Sequence, residues 1–153
     1  MRIENIELYY LSMPEILDEA DGSQDALIVK VEGGGHTGWG ECEASPLTSI
    51  ANFICPKSHS AAKSIRESII DKKLNDLSDV KKISHDVKQN SLMIAQTPHT
   101  YSGIEIAILD LLGKKNQCPI FELIGYKKSI PKIAYASVLF GKSPNETFKI
   151  AKE

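Results

Sequence analysis

The chain has 153 residues, 42% of them hydrophobic, 25% charged and 7% aromatic, with a formal net charge of −2. It is too apolar for intrinsic disorder, and no apolar run approaches the ~20 residues that a membrane span needs. The length suits one domain with a sizeable core, since domains mostly run to about 100–200 residues.

The charge is unevenly spread. Residues 1–55 carry ten acids against Arg2 and Lys30, whereas residues 56–153 carry ten acids and sixteen bases. The later lysines sit among acids at helical spacing, with no arginine cluster and no interleaved aromatics. They read as solvated helix faces, so no nucleic-acid partner and no membrane partner are expected. Cys42, Cys55 and Cys118 form no CxxC pair, and His36, His59, His85 and His99 have no HxxxH or HExxH spacing. Neither a zinc site nor a disulfide framework is indicated. The amino-terminal segment lacks the basic start and apolar stretch of a signal peptide, so a cytoplasmic address is expected.

The first element is a strand carrying Ile3, Ile6, Leu8 and Tyr10, with one slip in its alternation. Residues 13–25 then hold five acids, a proline and a glycine, which reads as a long polar loop. Residues 26–32 form a β-branched strand, glycines 33–35 a turn and residues 38–43 a returning strand, giving a three-stranded antiparallel meander. The stretch 33–38 fits GxGxxG. It lacks the following helix whose N-terminus would bind a pyrophosphate, so it is read as a hairpin turn. A second irregular stretch is expected over 44–57, around Pro46 and Pro56.

The period then becomes helical. Helices are expected over 58–71, over 79–89 with Ser78 as cap, and over 100–115. In the last, Ile104, Ala107, Ile108, Leu111 and Leu112 form one stripe. A short helix at 119–124 has Pro119 at its first position and Gly125 as its stop. Residues 132–140 are nearly continuously apolar, as in a strand buried on both faces of a parallel sheet. An edge strand on the meander is the alternative. Ser143-Pro144-Asn145-Glu146 is a capping box that opens a new helix.

Four segments occur together in family order: GWGECEASPL (38–47), TYSGIEIAILDLLGKK (100–115), PIFELIGY (119–126) and YASVLFG (135–141). With them the chain resembles the enolase superfamily, in its mandelate racemase and muconate-lactonizing branch. The resemblance implies an α+β capping domain over 1–129, a meander followed by a helical bundle. Residues 130–153 would be the first strand and helix start of a truncated (β/α) barrel. A barrel domain runs to about 250 residues, so the chain is expected to be the N-terminal part of a longer protein.

The activity implied is abstraction of a proton α to a carboxylate, by an isomerase or lyase. Such a proton is very weakly acidic, and Mg²⁺ stabilises the charge that develops when it leaves. The metal ligands and base would lie on later barrel strands, so no catalytic and no metal residue is assigned here. The chain alone is expected to be inactive. What it would supply is a substrate-specificity lid formed by residues 13–25 and 43–57. Ile16 and Leu17 would be its apolar contacts, Glu43 and Ser45 its polar ones. Ser137 would face the substrate from the first barrel strand.

Bland readings stand beside these: a packing role for Ser137, a solvated acid at Glu43, and a helix-face or salt-bridge role for Asp110. The five loop acids either face water or, through Asp21 or Asp25, accept hydrogen bonds from distal substrate hydroxyls, as a sugar acid would offer. A small-molecule carboxylate substrate and a homo-oligomeric assembly are the expected partners. The rival class is a stand-alone α+β binding module without catalysis.

Overall fold

The computed structural model describes residues 1–15, 25–42, 45–60, 62–128, 130–135 and 141–152. Strands β1 (Asn5–Leu11), β2 (Ala26–Gly33) and β3 (His36–Cys42) form an antiparallel meander in the order β1-β2-β3. Gly34 and Gly35 both have positive φ, 57° and 76°. A two-residue type I′ hairpin needs that geometry at both central positions. The turn is tighter than expected, and β3 starts at His36 instead of Gly38. Strand follows strand at the GxGxxG stretch, so no helix N-terminus is present there to receive a phosphate.

The slip in the first strand has a physical cause. Residues 5–11 pair with β2, but Ile3 turns to another partner. Its N–H donates to Lys72 O at 3.0 Å, and Asp71 N–H donates to Ile3 O at 2.9 Å. Ile3 thereby joins the core fully buried, and the chain's first residues tie the sheet to the helical half.

Helices follow: α1 (Pro46–Ile54), α2 (Ile65–Ile69), α3 (Leu77–Asn90), α4 (Thr97–Asn116), α5 (Ile120–Leu123) and α6 (Pro144–Lys152). None among the described residues is long and apolar enough to cross a membrane. Two expectations need correction. The stretch 44–57 is not irregular throughout, because α1 occupies most of it. Pro46 sits in the first turn, where its missing N–H has no partner to lose. The helix expected over 58–71 shrinks to five residues. Ser64 begins it with a reciprocal capping box: its hydroxyl accepts from Glu67 N–H at 3.2 Å, and Glu67 Oε2 accepts from Ser64 N–H. Ser64→Ala is expected to lower stability by about 1 kcal/mol, read as a drop in urea midpoint at unchanged slope.

The helix expected over 79–89 is α3. Asp76 caps it in place of Ser78, accepting from Ser78 N–H and Asp79 N–H at 2.8 and 3.2 Å. The helix expected over 100–115 is α4, extended by a turn at its start. It ends where Gln117 adopts a left-handed conformation, φ 54°. Gly125 stops α5 with φ 98°, as its position implied. Pro119 is the cap of α5, one place earlier than expected.

The core lies between the sheet and α4, with α1, α2 and α3 around it. Leu27, Val29 and Val31 of β2 meet Ile104, Ile108 and Leu111 of α4, all fully buried. Helix and strand approach at backbone distance along β3. A Cβ added at Gly38 would lie 2.0 Å from Ala107 O, and one at Gly40 would lie 2.1 Å from Gly103 O. A Cβ at Gly103 would in turn lie 2.5 Å from Glu41 O. Small residues at 103 and 107 of α4 thus rest on Gly38 and Gly40, and β3 contributes almost no side chain to that contact.

Of the stretch expected to be a buried strand, residues 132–135 are described. They form no strand, and Ile133 and Tyr135 are 99% and 87% exposed. Residues 136–140 lie outside the described residues. Helix α6 begins where the capping box placed it, with Ser143 Oγ accepting from Glu146 N–H at 3.2 Å.

Candidate functional site

An antiparallel meander sends alternate connections to opposite ends of the sheet. Leu11 pairs with Ala26, and Leu27 pairs with Cys42. The segment joining β1 to β2 and the segment leaving β3 therefore emerge at the same end, away from the Gly34-Gly35 turn. These are the two segments expected to form a specificity lid, so the topology brings their roots together.

Asp25 stands at the root of the first. Its Oδ1 accepts from Met13 N–H at 2.8 Å, and its Oδ2 accepts from the Tyr10 hydroxyl. Both bonds stabilise the charged form. They hold the Asp25 carboxyl below the usual carboxylate range, the Tyr10 hydroxyl contributing most, and push the Tyr10 phenol up. A carboxylate with a lowered pKa keeps these bonds at neutral pH and loses them as acidification protonates it. Sequence reasoning missed Tyr10 as a participant. Its place at the end of β1, on the same face as Ile6 and Leu8 but 40% exposed, was the available signal.

Ser45, the second described site residue, is exposed and precedes α1. Its hydroxyl makes no capping bond, while its carbonyl accepts from Ser49 N–H at 3.0 Å. Ile16, Leu17, Asp21, Glu43 and Ser137 lie outside the described residues.

Helix α1 is fixed by a buried polar network that sequence reasoning did not find. Asn52 is 2% exposed. Its side-chain amide donates to Ala95 O at 3.1 Å and lies 3.2 Å from Thr97 Oγ1. Thr100 Oγ1 donates to Ser49 Oγ at 3.0 Å, and the Cys42 thiol donates to Thr100 O at 3.2 Å. The network ties α1, α4 and the end of β3 together at the end of the sheet where the segments after β1 and β3 leave. The available signal was Ile50 and Phe53 at helical spacing after Pro46, with Ser49 and Asn52 on the same inward side.

Two other groups carry no site. Burial pushes the Cys42 thiol up to about 11, so it stays protonated and is no nucleophile. On the outer face of the sheet, Lys30 bridges Glu32 at 2.8 Å and Glu7 at 3.2 Å. That pairing, with Glu32 the larger influence, raises Lys30 to about 12. Among the described residues there is no group of three or more His, Cys, Asp or Glu that could hold a metal ion.

Comparison with known proteins places the chain. The sequence model described as mandelate racemase / muconate lactonizing enzyme, N-terminal domain, matches residues 17–125. The crystal structure of a predicted mandelate racemase from Rhodobacter sphaeroides superposes with a TM-score of 0.90 at 50% identity. That match covers 97% of this chain and 38% of the Rhodobacter chain. A mandelate racemase/muconate lactonizing enzyme-like protein from Rubrobacter xylanophilus DSM 9941 shares the fold, with a TM-score of 0.55 at 22% identity. There 81% of this chain and 27% of the other are covered. No curated protein sequence matches. A fold of meander plus helices, a family match over most of the chain and one-half identity to a solved relative agree: the chain belongs to the mandelate racemase and muconate-lactonizing family of the enolase superfamily, whose N-terminal domain it carries.

Proposed function

We propose that the enzyme carrying this chain abstracts a proton α to a carboxylate, as a racemase, dehydratase or cycloisomerase, and that a sugar acid is its substrate. The observation that carries this reading is the 50% identity over 97% of the chain to the Rhodobacter protein described as a predicted mandelate racemase. In the bound state Mg²⁺ would supply positive charge at the substrate carboxylate as the α-proton leaves. The cation's ligands and the base belong to the barrel of such an enzyme.

The work of this chain's own residues is substrate selection. The lid roots at Asp25 and Ser45 set where two loops start, and loops that cover a site exclude water and strengthen its electrostatics. Asp25 already accepts two internal bonds, but a carboxylate has lone pairs for a third donor. A substrate hydroxyl is such a donor, and Asp21 is the second candidate. Ile16 and Leu17 would contribute apolar contacts, Glu43, Ser45 and Ser137 polar ones. The protein would act as a cytoplasmic homo-oligomer without nucleic acid or membrane partners.

The test uses the full-length enzyme in D₂O with a panel of sugar acids and simpler α-hydroxy carboxylates, following deuterium at the α-carbon by NMR. Exchange that requires Mg²⁺ and stops with a chelator is expected, with Asp21→Asn or Asp25→Asn lowering kcat/KM at least tenfold on a sugar acid. Absence of exchange across the panel, or exchange indifferent to Mg²⁺ removal, overturns the reaction. If both variants stay within about twofold of wild type, the sugar-acid assignment is withdrawn.

A further inference from the structure

Among the described residues strand β3 is an edge of the sheet, and an edge strand offers unpaired N–H and C=O groups to any other extended chain. Two of those groups are already taken. The Trp39 N–H donates to Asp110 Oδ2 at 2.8 Å, and the Lys114 ammonium donates to Thr37 O at 2.8 Å. Asp110 and Lys114 lie one turn apart on α4 and pair with each other at 2.7 Å. The spacing on the strand is informative. In a parallel ladder, one residue donates to the carbonyl before its opposite number and accepts from the N–H after it. Thr37 O and Trp39 N–H flank Gly38 in that relation. The carboxylate and ammonium therefore reproduce the acceptor and donor of one residue of a fourth strand.

We infer that Asp110 and Lys114 form an edge guard, a side-chain substitute for a fourth strand that blocks strand addition on β3. Gly38 explains the placement. Its lack of a side chain lets α4 lie close enough for two side chains from successive turns to reach the strand's outer groups. The ion pair also fixes each partner: Lys114 holds the Asp110 carboxylate on Trp39, and Asp110 steadies the ammonium on Thr37. The guard acts against a second extended copy of this chain and does not depend on the proposed reaction.

The double variant Asp110→Ala/Lys114→Ala tests this in the same chain. Amide hydrogen exchange at Trp39 is expected to rise at least tenfold while helical circular dichroism is retained. Sedimentation velocity is expected to show concentration-dependent association beyond that of wild type. Asp110→Asn, which keeps an acceptor oxygen opposite Trp39, should restore most of the Trp39 protection that Asp110→Ala loses. Wild-type sedimentation and wild-type Trp39 exchange in the double variant overturn the inference. Should that variant fail to fold, Lys114→Ala alone, on an exposed helix position, gives the same readouts, and wild-type behaviour there overturns it equally.

Discussion

Gly40→Ala is expected to lower stability by about 3 kcal/mol, at the top of the usual range for overpacking. The added methyl would meet a backbone carbonyl, Gly103 O, at 2.1 Å, and Ala107 N at 2.9 Å. Neither atom belongs to a flexible side chain, so relief requires α4 to move away from β3. That motion would open the contact between Leu27, Val29 and the buried face of α4. Gly35→Ala is the control. Its Cβ meets nothing within 4 Å, and only its φ of 76° opposes a side chain. A cost of about 1–2 kcal/mol is expected there. Urea unfolding of both variants checks the order, and a Gly35 effect equal to or larger than the Gly40 effect would show that packing on α4 is not what requires Gly40.

Asn52→Asp is expected to be at least as damaging at neutral pH, by about 3–5 kcal/mol, the usual consequence of an uncompensated buried charge. Asn52 donates through its amide nitrogen toward Ala95 O and the hydroxyls of Thr97 and Thr100, while its Oδ1 accepts from Thr97 Oγ1 at 3.4 Å. An ionised carboxylate offers acceptors only. It would face the Ala95 carbonyl at hydrogen-bond distance and lack water. Burial raises the folded-state pKa of the new carboxyl, so the folded form holds its proton more tightly than the unfolded chain. The variant should therefore be least impaired below the unfolded carboxyl value of about 4 and lose stability as the pH rises toward 7. Asn52→Ala, which removes the bond to Ala95 O, should cost about 0.5–1.5 kcal/mol without that slope. Denaturation at pH 4 and pH 7 separates the two. A pH-independent Asn52→Asp would mean the position is not sealed from water.

The parts of this fold that could be read from sequence are those whose signal is local. β-Branched residues marked β2, and an apolar stripe marked α4, because each buries a face of its own side chains. The α1 helix was hidden for the opposite reason. Two of its three buried residues, Ser49 and Asn52, are polar beside the apolar Phe53, and their burial makes sense only next to Thr97 and Thr100, more than forty positions away. The expected helix from 58 failed because Ala62 fits a helical stripe equally well when it packs from a loop. Gly38 and Gly40 were legible as breakers of a helical pattern but not as a floor for α4, since a missing side chain does not name its neighbour.

The candidate site divides in the same way. The resemblance implied two lid segments, and the meander brings the ends of the strands they join to one side of the sheet. The bond between Tyr10 and Asp25 could not be foreseen, because it depends on where a side chain at a strand end points. Asp110 is a helix-face, salt-bridge residue, as its bland reading held, but its bond to Trp39 N–H depends on how closely α4 approaches β3.

The glycine floor also has a consequence for the order of events during synthesis. When β2 and β3 leave the ribosome, their hairpin has one apolar wall from β2 and bare backbone from β3. The surface that completes it, Gly103 and Ala107, is made about sixty residues later, roughly 3–12 s at ordinary elongation rates. Until then the apolar face of the three-stranded meander has no helix to cover it, and its β3 edge lacks the side chains of α4. The packing of the sheet on α4 is therefore a long-range event of the kind that slows folding.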